Sequence, residues 1–171
     1  MCTYLKAMLT FTVLLSLSAC SIHQPQSAEE FRQLVPTAFM GGVESFEVNR
    51  SFKDVGATFQ KKAPQCLNIK IESVSQSGTS YHRVVTAYNP SVRISANKAE
   101  MILQQHYESG VIAVSEEPKG GYYLFVVDAT PVTKNKSKVD IYGPTMGYDT
   151  LIKAIKGWAT GTNPGCPDLT K

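Results

Sequence analysis

Three histidines and 14 carboxylate side chains are the groups with which this chain of 171 residues could move a proton. A nucleophilic triad would have to recruit His82 or His106, because His23 lies in a polar N-terminal stretch and reads as solvated. Both histidines sit in strand-like runs, where a solvent-facing or hydrogen-bonded imidazole needs no catalytic role. Asp128, Asp140 and Asp149 could gather at one end of a sheet, yet turn and cap positions account for each more simply. The GxSxG elbow, HExxH, GxGxxG and the P-loop do not occur in the sequence. Gly41-Gly42 and Gly120-Gly121 read as hinge and turn glycines. Cys66 and Cys166 lack a CxxC spacing, and neither His82 nor His106 stands at a ligand spacing, so no metal site is expected. The chain is therefore expected to be non-enzymatic, with no catalytic residue and no cofactor, and its ligand-binding residues cannot be read.

Charge narrows the partners. A net +3 is spread over scattered Lys and Arg, without the dense basic stripe that nucleic acid requires. The most cationic stretch, Lys134, Lys136 and Lys138 with Asn135 and Ser137 between, reads as a solvated hairpin tip.

The N-terminus is the most informative segment. Lys6 precedes a mostly apolar run of 11 residues, Ala7 to Leu17, too short to span a bilayer core of about 30 Å as a helix. Its length is that of a signal-peptide core. Leu17-Ser18-Ala19-Cys20 follows, and it resembles the lipobox of bacterial lipoproteins: an apolar residue, two small ones and a cysteine. The resemblance implies a diacylglyceryl group on the Cys20 sulfur, cleavage after Ala19 and acylation of the new N-terminus. Several acyl chains anchor stably where a single one is marginal. Ser21 after the cysteine, in place of an acidic residue, implies sorting to the outer membrane, facing the periplasm. The expected organisation is a signal peptide over 1–19, a lipidated tether over 20–42 and one folded domain over 43–171.

The elements that must position any site follow from periodicity. Within the tether, Ser27 and Glu30 could cap a brief helix around Ala28 to Leu34. Phe46 and Val48 alternate with polar residues as a first strand. Phe52, Val55, Phe59 and Ala63 form a helical stripe capped by Ser51 and ended by Pro64. Leu67, Ile69 and Ile71 alternate as the next strand. Beyond a polar turn at Ser75–Ser80 come strand-like runs at Tyr81–Tyr88 and Val92–Ser95. Lys98 to Tyr107 reads as helix or strand, and its place between strand-like runs favours the strand. Val111–Val114 and Gly121–Val127 flank a Pro- and Gly-containing connection, and Val139, Ile141 and Tyr142 make the last strand. Tyr148, Leu151, Ile152, Ile155, Trp158 and Ala159 mark a terminal amphipathic helix closed near Gly161.

The order β-α-β-β-β-β-β-α predicts an α+β fold: a curved antiparallel sheet of five or six strands with two helices on one face. Cys66 and Cys166, an even pair in an exported domain, predict a disulfide stapling the ends of those helices. Whether Tyr81, Tyr88, Tyr107, Tyr122, Tyr123 and Tyr142 share a face depends on strand register.

Together with the lipobox, the segments Ser51-Phe52-Lys53-Asp54-Val55, Gln65-Cys66-Leu67, Gly120-Gly121-Tyr122, Val127-Asp128-Ala129, Gly157-Trp158-Ala159 and Gly165-Cys166-Pro167 resemble an uncharacterised family of small Gram-negative lipoproteins. The likeness implies no catalytic residue. The expected function is a non-enzymatic binding or scaffolding module at the outer membrane, with acyl chains on Cys20 in the membrane and a protein partner in the envelope. The alternative is a carrier of a small apolar or lipid ligand in a cavity between sheet and C-terminal helix.

Overall fold

The computed structural model describes residues 24–109 and 116–170. The leader, the Leu17–Cys20 motif and the strand expected at Val111–Val114 lie outside those residues. Helix α1 (Ala28–Leu34) starts at the cap that the sequence carries: the Ser27 hydroxyl accepts from the Glu30 amide at 3.1 Å. The Glu30 carboxylate reaches back to the Gln26 amide at 2.7 Å. A 3-10 turn (Val35–Thr37) leads into β1 (Gly41–Val48), and the order continues with α2 (Phe52–Leu67), β2 (Lys70–Ser77), β3 (Ser80–Ile94), β4 (Ala99–Ser109), β5 (Tyr122–Thr133), β6 (Lys136–Pro144) and α3 (Asp149–Thr160). Residues 98–107 are thus strand. Helix α1 and the 3-10 turn fall within the stretch that reads as tether, and they are packed on the sheet.

All six strands form one antiparallel sheet in the order β1-β6-β5-β4-β3-β2, curled into a half-barrel. The fold is α+β, as the periodicity predicts. Helices α2 and α3 share one face. Their stripes, Val55, Phe59, Ala63 and Leu67 with Leu151, Ile155 and Trp158, meet Met101, Leu103, Phe125, Val127, Val139 and Ile141 from the strands. Arg50 clamps the helix pair at one end. Its guanidinium donates to the last α3 carbonyls, Trp158 at 2.9 Å and Ala159 at 3.0 Å, and to the Asp54 carbonyl of α2 at 3.1 Å. Those α3 groups are orphaned by helix geometry and carry the negative end of its dipole. Gly161, at φ +88°, closes α3 in the left-handed conformation.

Four local expectations are corrected. Pro64 does not end α2, which runs on to Leu67. Residue 64 is exposed, so the missing amide strands no buried carbonyl, while Cys66 and Leu67 beyond it are buried and hold the last turn. Leu67 accordingly closes a helix instead of opening a strand. Strands β2 and β3 also extend through the polar Ser75–Ser80 stretch, closing on the Ser77–Ser80 pair around Gly78 (φ +59°) and Thr79. Asn89-Pro90 does not divide β3. β2 pairs with β3 only as far as Ala87, so Pro90 lies where one side of β3 is free and no ladder bond is lost.

Cys66 and Cys166 form a disulfide with Cα atoms 5.0 Å apart across 100 residues of sequence. It ties the C-terminal tail to the last turn of α2. The tail then runs back along α3, with Thr150 Oγ1 donating to the Asp168 carbonyl at 3.0 Å and Leu169 on the core. Replacing Cys166 with Ser is expected to lower unfolding free energy by about 2–5 kcal/mol. Denaturant titration measures the loss, and proteolysis confined to the tail would show that the rest of the fold persists.

Candidate functional site

Strand alternation sends a second set of side chains to the face turned away from α2 and α3. That set forms two rows across the sheet. In one, Ile102 of β4 pairs with Val126 of β5, which pairs with Tyr142 of β6. In the next, Glu100 pairs with Asp128, which pairs with Asp140. Like charges directly opposite one another destabilise a sheet, so three carboxylates in register need compensation.

Helix α1 supplies it. Ala28, Phe31, Arg32 and Val35 stand at i, i+3, i+4 and i+7 and make one face. Phe31 and Val35 cover Val126, which has no solvent exposure, and the Phe31 ring lies 5.9 Å from that of Tyr123. Arg32 crosses to the charged row. Its Nε and Nη2 donate to both Asp128 oxygens at 2.7 and 2.8 Å, and Nη2 also donates to Glu100. Lys98 adds its ammonium at 3.0 Å from Glu100 and 3.4 Å from Asp128, and Arg93 lies 3.1 Å from Glu100. At the far end Asp140 accepts from Ser45 at 2.5 Å and meets Lys138 at 2.9 Å. The Arg32, Glu100 and Asp128 side chains are only 11%, 6% and 10% exposed.

Burial alone would raise the Glu100 pKa, but the hydrogen bonds and charges of Arg32 and Lys98 outweigh it and hold the carboxyl below the ordinary range. Tyr142 is shifted upward, first by burial and then by the charges of Asp140 and Asp128. With each carboxylate of the row engaged by cations of the chain itself, the arrangement is suited to docking α1 electrostatically.

The structure places the sequence candidates as follows. Asp128 and Asp140 are neighbours in mid-strand, not turn residues, and Asp149 stands apart in the first turn of α3. His82 faces Ser75 on the β2–β3 ribbon. His106 pairs with Ala87 in register, five residues further along β3 and hence about 17 Å away. Its Nδ1 lies 2.5 Å from Glu117 Oε1. Lys134 occupies the hairpin loop before Lys136, while Lys136 and Lys138 pair with Glu47 and Asp140. The tyrosines do not share a face: Tyr88 joins the helix-side core, Tyr123 and Tyr142 lie by α1, and Tyr81 is exposed on the ribbon. Arg32 and Glu100 escaped sequence reasoning. The available signal was Ile102 and Val126, apolar on the strand phase opposite the helix-facing residues, which calls for a second covering layer.

A cleft of about 460 Å³ opens between the N-terminal end of α3 and the paired ends of β1 and β6. Phe125, Ile141 and Ile152 line it, and the Glu44–Lys156 ion pair spans its rim from β1 to α3. Among the described residues, no three His, Cys, Asp or Glu side chains are grouped to hold a metal ion, and no helix is long and apolar enough to cross a membrane. Comparison of the chain with protein families, curated proteins and solved structures finds no match.

Arg32→Ala leaves the Glu100–Asp128 pair with Lys98 as its main partner, an imbalance worth about 3 kcal/mol for a buried ion pair. A helix of seven residues does not stand alone, so the expected result is release of α1. Hydrogen exchange should show lost protection over residues 28–37 and at Val126, with the helix-side core unchanged. Because the Glu100 pKa is lowered on folding, its stabilisation is complete above the ordinary carboxylate range and lost as pH falls through the lower folded value. Wild-type α1 should therefore stay docked through mildly acidic pH and release only below that range, in the same exchange measurement.

Proposed function

We propose that this protein is an outer-membrane lipoprotein, acylated at Cys20 and facing the periplasm, whose domain is a non-enzymatic binding module for an extended segment of an envelope protein. The observation that carries the binding part is the outer edge of β2. Among the described residues no strand pairs with it, and it carries neither proline nor bulge along Lys70–Ser77. Edge strands left so open are templates for strand addition. From Glu72 to Arg83 the hairpin is exposed throughout, and Val74 and Tyr81 are its large exposed apolar side chains. The Leu17–Cys20 motif supports the anchor, and the Cys66–Cys166 disulfide fits an oxidising compartment. The ionisable cluster is consumed in docking α1, so the reading assigns no catalytic residue.

A second reading, a carrier of an apolar ligand, has its own support in the cleft beside α3, whose floor is apolar and whose volume lies in the range of ligand sites.

A hairpin closing on Ser77–Ser80 turns the free amides of β2 outward at Glu72, Val74 and Gln76. Photo-crosslinking residues at positions 72 and 76 are expected to trap one and the same protein in living cells. Val74→Pro should abolish both adducts without lowering the melting temperature, since its lost amide faces away from β3. Cys20→Ser should move the protein from the membrane to the soluble fraction. Adducts indifferent to Val74→Pro would refute strand addition. A small mass retained in native mass spectrometry and lost on denaturation would favour the carrier.

A further inference from the structure

Phe39, Met40 and Met146 are 91%, 50% and 63% exposed, and they sit together on two abutting loops at one end of the sheet. The loops are locked to each other. The Met40 carbonyl accepts from the Thr145 amide at 2.8 Å and from the Thr145 hydroxyl at 3.2 Å, and next to them Gly41 of β1 pairs with Pro144 of β6. Met40 has φ +61°, the one non-glycine residue with positive φ among those described. A long side chain in that conformation costs about 1–2 kcal/mol. The fold thus holds a strained, braced loop in order to present an aromatic ring and two thioethers to their surroundings, and strain of this kind is a marker of functional surface.

The occupant follows from area and reach. Three such side chains cover about 500 Å² when wholly buried, short of the roughly 800 Å² per partner of a stable protein interface. A narrow knob suits insertion into a soft surface. Cys20 precedes the first residue of α1 by eight positions, a reach of at most about 28 Å. From there α1 and the 3-10 turn advance about 16 Å towards Phe39. Acyl chains on Cys20 and the knob can therefore lie in one plane.

We propose that Phe39, Met40 and Met146 seat in the interfacial region of the lipid bilayer and fix the orientation of the domain on its anchor. The proposal rests on the reading of Cys20 as acylated. Multiple signals on one membrane are how peripheral proteins gain a defined attachment. The knob adjoins β1, the opposite edge of the sheet from β2, and five strand spacings separate the two by about 24 Å along the sheet.

The test uses the full, processed protein carrying Phe39→Trp, reconstituted in vesicles of phosphatidylethanolamine and phosphatidylglycerol with brominated acyl chains, with its intact mass measured on the same sample. The native Trp158 has no exposure and serves as an unchanging background. The expected result is a blue-shifted emission from position 39 that bromine quenches almost completely, repeated with Met146→Trp. Acyl chains present in the mass but no quenching would overturn the seating and leave the anchor standing. A mass without acyl chains would overturn the anchor reading and the seating with it. A blue shift without quenching, growing with protein concentration, would show a second copy covering the knob and would equally overturn the proposal.

Discussion

Val126 is wholly enclosed on the side of the sheet that the two long helices do not reach, and covering it is the constraint around which the molecule is arranged. A sheet apolar in both phases of its central strands cannot leave one face to water. The first element among the described residues is therefore spent on a cover, a two-turn helix too short to exist alone. Phe31 and Val35 supply its apolar contact. Arg32 makes its position unique, because a bidentate guanidinium across two in-register carboxylates admits one placement where oily contact would admit several. The charged row thereby acts as a registration device for α1, a use of buried ion pairs better attested than net stabilisation.

The remaining architecture follows from a sheet that curls without closing. The helix-side core is filled by Trp158, Phe59 and Phe125, and the disulfide and the Arg50 clamp bind the two long helices to each other and to the tail. A half-barrel has two edges, and they are finished differently. β1 lies beside the braced loop at Met40 and the rim of the cleft under α3, whereas β2 continues into an exposed ribbon.

Much of this was legible because its causes lie between near neighbours in the chain. The Ser27–Glu30 cap, the alternation of β1 and β6, the stripe of α3 and its Gly161 stop each need only a few consecutive residues, and the α+β class followed from their order. The Cys66–Cys166 bridge was expected from a count of cysteines together with an expected export. What local reading missed was set by neighbours outside its window. Pro64 reads as a stop until the exposure of its own turn and the burial of Cys66 and Leu67 are known. Asn89-Pro90 reads as a break until β2 is seen to end at the partner of Ala87.

The ionic row shows the division most clearly. By itself the sequence determined that Glu100 and Asp128 lie one step out of phase with the helix-facing residues of β4 and β5, since side-chain direction alternates strictly along a strand. That phase alone would send them to solvent. Only the tertiary structure decided that they are buried and paired, because register sets Glu100 beside Asp128 and Asp128 beside Asp140, and because their partner Arg32 arrives from 68 and 96 residues away. Contacts between groups so far apart in sequence leave no spacing for a local pattern to carry.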